Sequence, residues 1–358
     1  MTLADWGWTE GREPEFAPYR DGGWRPGRIV RPGRGIHRLA SVDDGGRGFE
    51  IDARLTGRAI GRGEAPAAGD WVAWREEGGT ALIEAVLHRT TRISRKVAGE
   101  AAEEQVMAAN VDVLFVVQAL GSGRGFTPRG LERYVAMAWE SGCRPAVVLN
   151  KSDLAEDPEA DLLDAEAAAP GVDVRLCSAA AGTGLDEVRA LLAPRETGAF
   201  VGPSGAGKSS IINAVAGRRL AEAGEVRESD SRGRHTTTRR ELHRLEDGCL
   251  LLDTPGLREL QLWGEADSAD AAFPEIEAFA ADCRFRDCRH DSEPGCAVRG
   301  ALESGDIDPE RFESWLELRR ELAWLETRRD EKARRDYMDR WMKIARFSRE
   351  LKKGKEIW

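Results

Sequence analysis

The sequence predicts a multidomain chain: a small N-terminal β-barrel, a central α/β domain and a mostly helical C-terminal domain. Three observations predict it. Residues 26–96 alternate apolar and polar positions in short runs between Gly and Asp. Residues 97–262 alternate apolar strand-like runs with helical stretches. Residues 263–358 read as helical around one tight Cys/His cluster. A chain of 358 residues accommodates two or three such domains. Its 41% hydrophobic content supports real cores, while 32% charged residues and a mean hydropathy of −0.48 mark a soluble protein. No run approaches the roughly 18 apolar residues of a membrane span, so no membrane partner is expected. The opening Met1–Trp6 has neither a basic nor an apolar signal region, so a cytoplasmic location is expected.

The net charge of −10 is unevenly spread. Residues 25–96 carry 14 Lys/Arg against 9 Asp/Glu and residues 328–358 carry 12 against 6, whereas residues 97–327 carry 25 against 43. Basic modules at both ends of an acidic middle suggest a polyanionic partner.

The elements follow in order. Residues 1–25 form an arm in which Trp6, Trp8, Phe16, Tyr19 and Trp24 need a surface to dock on, which the sequence does not name. Arg28–Arg31, Gly48–Arg54, Asp70–Trp74 and Ala81–Val86 are strands of a unit of about five, which fits an OB-type barrel. Such a barrel either binds oligonucleotides on a basic face or merely packs on its neighbour. A charged, Ala-rich connector spans Val97–Asn110. Strands are then expected at Val111–Val117, Pro145–Leu149 and Val172–Cys177, and helices at Arg129–Ser141, Pro158–Ala169 and Leu185–Leu192, the alternation of a parallel sheet with helices on both faces. Cys143, Cys177 and Cys249 stand singly among apolar neighbours and read as small buried hydrophobes.

The chemistry concentrates on the next stretch. After the strand-like Gly198–Val201 comes Gly202-Pro203-Ser204-Gly205-Ala206-Gly207-Lys208-Ser209, followed by Ser210 and a helical run to Ala216. The spacing G-x-x-x-x-G-K-S is that of a phosphate-binding loop. Its glycines let successive N–H groups point inward at a polyphosphate, a helix N-terminus adds partial positive charge, Lys208 reaches the terminal phosphates, and Ser209 can ligate Mg²⁺.

Four further motifs narrow the nucleotide to GTP. Asn150-Lys151-Ser152-Asp153 places a carboxylate that accepts from guanine N1–H and its exocyclic amine, a donor pair that adenine lacks. Ser178-Ala179-Ala180 offers a backbone N–H to the guanine oxygen. Asp253-Thr-Pro-Gly256 puts Asp253 near Mg²⁺ and the Gly256 N–H near the γ-phosphate. Among His235–Thr238, Thr237 is chosen to complete Mg²⁺ coordination, and His235 is a candidate to position water, because Leu257 stands where a water-orienting Gln would follow the motif. The guanine motifs precede the phosphate loop, the reverse of the usual order, so the central domain is expected to be a circularly permuted P-loop GTPase.

The last constellation is Cys283-x₄-Cys288-x-His290-x₅-Cys296, three thiols and an imidazole within 14 residues. That set matches a closed, structural Cys₃His zinc site, and the polar loop around it would need the metal in order to fold.

Barrel, permuted GTPase and Cys₃His domain in this order resemble the RsgA/YjeQ family of small-ribosomal-subunit biogenesis GTPases. The resemblance rests on Gly69–Val72, Ala109–Asp112, Asn150–Asp153, Gly202–Ser210, Gly233–Thr238, Asp253–Gly256 and the zinc ligands. It implies GTP/GDP with Mg²⁺, one structural Zn²⁺, and a monomer that binds the 30S subunit and its 16S rRNA during late assembly, alongside other assembly factors. GTP hydrolysis would be stimulated by the subunit. The acidic middle and the Trp-rich arm depart from the family pattern. The alternative reading is a GTP-gated RNA- or protein-binding module with a different client. The expected domains are an arm at 1–25, the barrel at 26–96, the GTPase at 97–262, and the zinc domain with its basic tail at 263–358.

Overall fold

In the computed structural model, residues 2–96, 104–121, 126–221, 240–253, 270–286, 288–290 and 293–322 are described. Strands β1 (Arg25–Arg31), β2 (His37–Val42), β3 (Gly48–Leu55), β4 (Trp71–Glu77) and β5 (Thr80–Val86) close into a barrel in the order β1-β2-β3-β5-β4. The alternation of β5, with Ala81, Ile83 and Ala85 inward, is the period-two pattern that the sequence carries. Ile29, Leu39, Val72, Trp74 and Ile83 fill the interior. The Trp74 indole N–H is satisfied by the Ser41 hydroxyl at 3.1 Å. Much of the barrel's arginine excess is paired on its surface: Arg38 with Glu50 and Asp52, Arg62 and Arg58 with Glu84, and Arg25 with Asp44. Exposed pairs of this kind are worth little in stability, but they lower the field that the barrel offers an anion.

The connector differs from expectation. β6 (Arg92–Lys96) does not join the barrel but pairs with β7 (Glu104–Ala109), so its C-terminal part is strand. Charge and alanine hid this strand, whose Met107, Ala108 and Ala109 are fully buried.

The central domain is a six-stranded sheet of order β10-β9-β8-β11-β13-β12, comprising β8 (Val113–Ala119), β9 (Arg144–Asn150), β10 (Asp173–Leu176), β11 (Thr197–Val201), β12 (Glu241–Arg244) and β13 (Leu250–Asp253). All pairs are parallel except β12 with β13. Helices α3 (Pro128–Glu140), α4 (Pro158–Ala168), α5 (Leu185–Ala190) and α6 (Lys208–Ala216) are interleaved with the strands, and short α1 (Glu13–Asp21) and α2 (Gly57–Gly61) precede them. Thr127 and Asp157 cap α3 and α4 through their side chains, which sets where those helices begin. β8 and β9 are buried along almost their whole length, as strands covered on both faces must be.

Arm, barrel and sheet belong to one unit, and a buried polar node joins them. The Arg28 guanidinium on β1 donates to the Trp6 carbonyl of the arm, to the Gly69 carbonyl at 3.3 Å, to the Asn110 carbonyl at 2.9 Å and to the Thr197 hydroxyl of β11 at 2.9 Å. Arg12 of the arm donates to Asn110 Oδ1 at 2.7 Å, and Asn110 Nδ2 donates to the Gly69 carbonyl at 3.0 Å. The arm's aromatics dock beside this node. Trp8 packs edge-on against Trp71 and Phe16, with ring centroids 4.8 and 5.7 Å apart.

The second unit contains α7 (Pro274–Ala280), α8 (Ala297–Ser304) and α9 (309–322). Phe273, Ile276, Val298, Ile307, Trp315 and Leu322 form its interior. Arg311 pairs with Glu275 at 2.6 Å, and the Trp315 indole donates to Asp270 at 2.9 Å.

Arg28→Ala removes four donors' worth of contacts to buried acceptors, so unfolding of the first unit should lose about 3 kcal/mol or more. Chemical denaturation checks this, and a loss below about 1 kcal/mol would show that the node does not hold the unit together.

Candidate nucleotide site and metal centre

The two halves of the candidate site lie at the carboxyl ends of the parallel strands β9 and β11, which flank β8, where α/β sheets place their ligands. β11 ends at Val201, and the loop then turns through Gly202, Gly205 and Gly207, with φ of 136°, 81° and 93°, before Lys208 starts α6. Two of these glycines are forced by close approach as well as by φ. A Cβ on Gly202 would lie 2.1 Å from the Val117 carbonyl of β8, and one on Gly207 would lie 2.1 Å from Asn150 Nδ2. Pro203, Ser204 and Gly205 are exposed, whereas Ala206 is buried beneath them. Ser209 and Ser210 occupy the first turn of α6, and Lys208 Nζ donates to the Gly202 and Pro203 carbonyls, both at 2.7 Å.

Asn150 ends β9 and is the joint between the halves. Its Nδ2 donates to the Ala206 carbonyl at 2.8 Å, and its Oδ1 accepts from the Ala179 N–H at 3.1 Å. Lys151 follows in the left-handed region (φ 65°), which swings Ser152–Leu154 into a tight turn under the Cys177 carbonyl. The Ser178 hydroxyl donates to Asp153 Oδ1 at 2.5 Å and accepts from the Ala181 N–H at 3.0 Å. Asp153 is therefore aimed by Ser178. Asn150–Asp153, Ser178–Ala179 and Gly202–Ser210 thus converge, although 52 residues separate Asn150 from Gly202 in sequence.

Cys177 is buried as expected, but its thiol also faces Asn150 Oδ1 at 3.6 Å. Burial pushes that thiol up to about 12, so it stays protonated and acts as a donor. Sequence reading missed both this contact and the Ser178–Asp153 bond, and only the adjacency of Cys177 to Ser178 signals them.

Asp253 ends β13, directly across from Glu241 on β12. Burial and the facing Glu241 raise its carboxyl to about 6. An ionised carboxylate held in such a place favours a cation nearby, and with the Ser209 hydroxyl it supplies the oxygen donors that suit Mg²⁺. Thr237, His235, Gly256 and Leu257 lie outside the described residues, as does the basic tail.

In the second unit, the ligand atoms of Cys283, Cys288, His290 and Cys296 all lie within 4.8 Å of one another. His290 Nδ1 is 3.4 Å from Cys296 Sγ and 3.6 Å from Cys283 Sγ. His290 takes a left-handed backbone (φ 61°), which turns its ring into the cluster, and Trp315 packs 5.6 Å from that ring. Loss of solvent would raise the Cys283 thiol, but the N–H groups of Val298 and Ala297 at the start of α8, with the neighbouring thiols, bring it below its usual value. Cys288 is pushed up to about 11 by loss of solvent and by Cys296 and Cys283. Close-set thiols that resist ionising together fit a site completed by a metal cation.

The RsgA GTPase family model matches residues 86–263. The small ribosomal subunit biogenesis GTPase RsgA of Opitutus terrae is 43% identical over 376 aligned residues, covering 100% of both chains. The chain belongs to the RsgA GTPase family. The protein of the same name from Streptomyces coelicolor is 38% identical, over 98% of this chain and 96% of its own. Among solved structures, YjeQ from Thermotoga maritima superposes with a TM-score of 0.64 at 25% identity, over 84% of this chain and 99% of that one. YloQ, described as a circularly permuted GTPase, gives 0.64 at 23% over 84% and 95%, a likeness of fold. The RsgA architecture of barrel, permuted GTPase and Cys₃His unit is therefore present here, and the chain is a GTPase working with GTP, GDP and Mg²⁺.

Gly207→Ala drives a methyl into Asn150 and so strikes both halves of the site at once. Nucleotide affinity should fall at least about tenfold, alongside a loss of about 1–3 kcal/mol in stability from the strained φ. Titration with a fluorescent guanine nucleotide measures it, and unchanged affinity would mean that the loop and Asn150 move independently.

Proposed function

We infer that this RsgA-family chain is a cytoplasmic GTPase that binds the small ribosomal subunit through 16S rRNA during late assembly and hydrolyses GTP when the subunit stimulates it. The observation that carries this reading is the extent of the likeness to the Opitutus terrae protein, whose name states small-subunit biogenesis. It runs through the barrel and the Cys₃His unit as well as the nucleotide site.

In this reading Asp153 recognises guanine, held in place by Ser178, while the Ala179 region borders the base and Asn150 braces the phosphate loop. Gly202–Ser210 cradle the polyphosphate through backbone N–H groups, and Lys208 exchanges its bonds to the Gly202 and Pro203 carbonyls for the phosphates. Mg²⁺ would be held by Ser209 and Asp253 and would neutralise phosphate charge. Thr237, Gly256 and His235 keep the roles that their motifs suggest: magnesium ligand, γ-phosphate donor and water-positioning group. Zinc is the metal that three thiols and an imidazole select for a structural site, where it ties Cys283 and Cys288 to the start of α8. The partner is read as a monomer's partner, with other assembly factors on the same subunit.

GTP turnover should rise at least tenfold on adding purified small subunits and not on adding large ones; an equal response to both, or to neither, would overturn the small-subunit assignment. Asp153→Asn should weaken GTP binding by about 2–4 kcal/mol, because the guanine donors lose their charged acceptor. Retained selectivity over ATP in that variant would remove Asp153 from base recognition. Elemental analysis should find one zinc per chain, and its removal by a chelator should abolish helical signal from the second unit while the first still binds nucleotide. A second unit that melts unchanged without metal would contradict the structural role.

A further inference from the structure

α6 starts at the phosphate loop and ends about 13 Å away at Gly217. At that far end, between α5, α6 and the turn joining β12 to β13, lies a cavity of about 350 Å³. Arg189, Arg218 and Arg244 line it together with the carboxylate of Glu246, and Asp247 borders it through Arg189. This is a cationic cleft on a chain of net charge −10.

The three guanidinium groups are not equally committed. Arg189 is occupied: it donates to Asp247 at 2.8 Å and reaches the Val215 carbonyl at 3.5 Å. Arg218 reaches only the Arg244 carbonyl, at 3.4 Å. Among the described residues neither Arg218 nor Arg244 forms a close ion pair, although Arg244 lies near enough to Asp5 of the arm to help lower that carboxyl, and Arg244 Nε is buried with no hydrogen-bond acceptor. A buried donor without a partner is costly unless a ligand completes it. The arginine fork matches phosphate oxygens in both geometry and charge.

The surroundings define which phosphate. The carbonyl end of α6 and Glu246 both place negative charge at the cleft, which works against a dense polyanion and suits a group of single charge. The rim at Gly217, Arg218 and Arg219 is exposed, so a long strand can cross it. We propose that this cleft, with Arg218 and Arg244 as its cations outside any close ion pair, seats a backbone phosphodiester of the RNA partner, as a contact separate from the barrel and the tail. It rests on the RNA-binding reading above and adds a site on the GTPase domain itself.

The test compares wild type with the Arg218→Ala, Arg244→Ala double variant, as full-length chains with GDP and Mg²⁺. Affinity for purified small subunits is measured across a salt series. One lost phosphate contact removes about 0.7–0.9 from the slope of log K against log salt, so the double variant should be shallower by about that amount. A double lysine variant should keep most of the slope, and unchanged GDP affinity and melting should show that the fold is intact. Parallel slopes for wild type and the alanine variant would overturn the proposal. A second arm uses a single-stranded RNA oligonucleotide. If wild type does not bind subunits but the oligonucleotide still shows the slope difference, the site stands and the subunit assignment falls. If inorganic pyrophosphate binds wild type and not the variant while both RNA slopes stay parallel, the occupant is a small anion and the RNA assignment is overturned.

Discussion

A single buried guanidinium sets the geometry of the first unit. Arg28 sits fully inside the protein, and burial first, then the nearby Arg12, pull it down to about 10, against the opposing pull of Asp112 and Asp70. Such a charge persists only where its donors all find acceptors, and here those acceptors come from the arm, the barrel and β11. Each neighbour is thereby fixed in its turn. Asn110 adopts a left-handed backbone (φ 55°), which lets its carbonyl face Arg28 while its side chain meets Arg12 and Gly69. Asp112, half of the same motif, accepts from the Thr197 N–H at 2.7 Å and so ties β8 to the start of β11. Asp70 is fully buried against Arg89 at 2.7 Å. Gly69–Val72 and Ala109–Asp112 are thus a joint between barrel and sheet.

The nucleotide motifs were legible because their chemistry is local. A phosphate loop needs its glycines, lysine and hydroxyl at fixed spacing, and a thiol-imidazole set needs its ligands within a short loop, so both announce themselves in a few residues. Strand alternation was equally clear for β5 and for the buried runs of β8 and β9. The joint was not legible, because its members are as far apart as Trp6 and Thr197 and no spacing rule connects them. Arg28 inside Arg28-Ile-Val-Arg31 reads as an ordinary polar position on a half-buried strand. β7 was hidden for a different reason: its register depends on a partner strand, and Ala-rich text with charges has helical propensity of its own.

Charge composition was a blunter guide than motif. The barrel's arginines are numerous, yet many lie beside carboxylates of the barrel's own strands, so a positive balance does not translate directly into a positive face. The GTPase domain shows the converse. Its region is the most acidic of the chain, yet two arginines at the far end of α6 form no close ion pair among the described residues. What a polyanion meets is decided by which cations are already neutralised, and that depends on tertiary contacts that composition averages away.

The permutation gives these contacts a mechanical meaning. Strands β9 and β10 carry the Asn150–Asp153 and Ser178–Ala179 half of the candidate site, and β8 beside them enters the sheet directly after Asn110 and Asp112, inside the joint with the barrel. Strand β11 leads into the Gly202–Ser210 half, and β13 ends at Asp253, from which the chain runs on toward the Cys₃His unit. Here the base half is anchored to the barrel while the phosphate half leads covalently toward the metal unit, and the two halves meet at Asn150, whose side chain bonds to Ala206 on one side and Ala179 on the other. A nucleotide that fills the site draws on both halves at once. Asn150 is the side chain through which the two halves answer to one another, since it bonds the phosphate loop at Ala206 and the turn at Ala179 together.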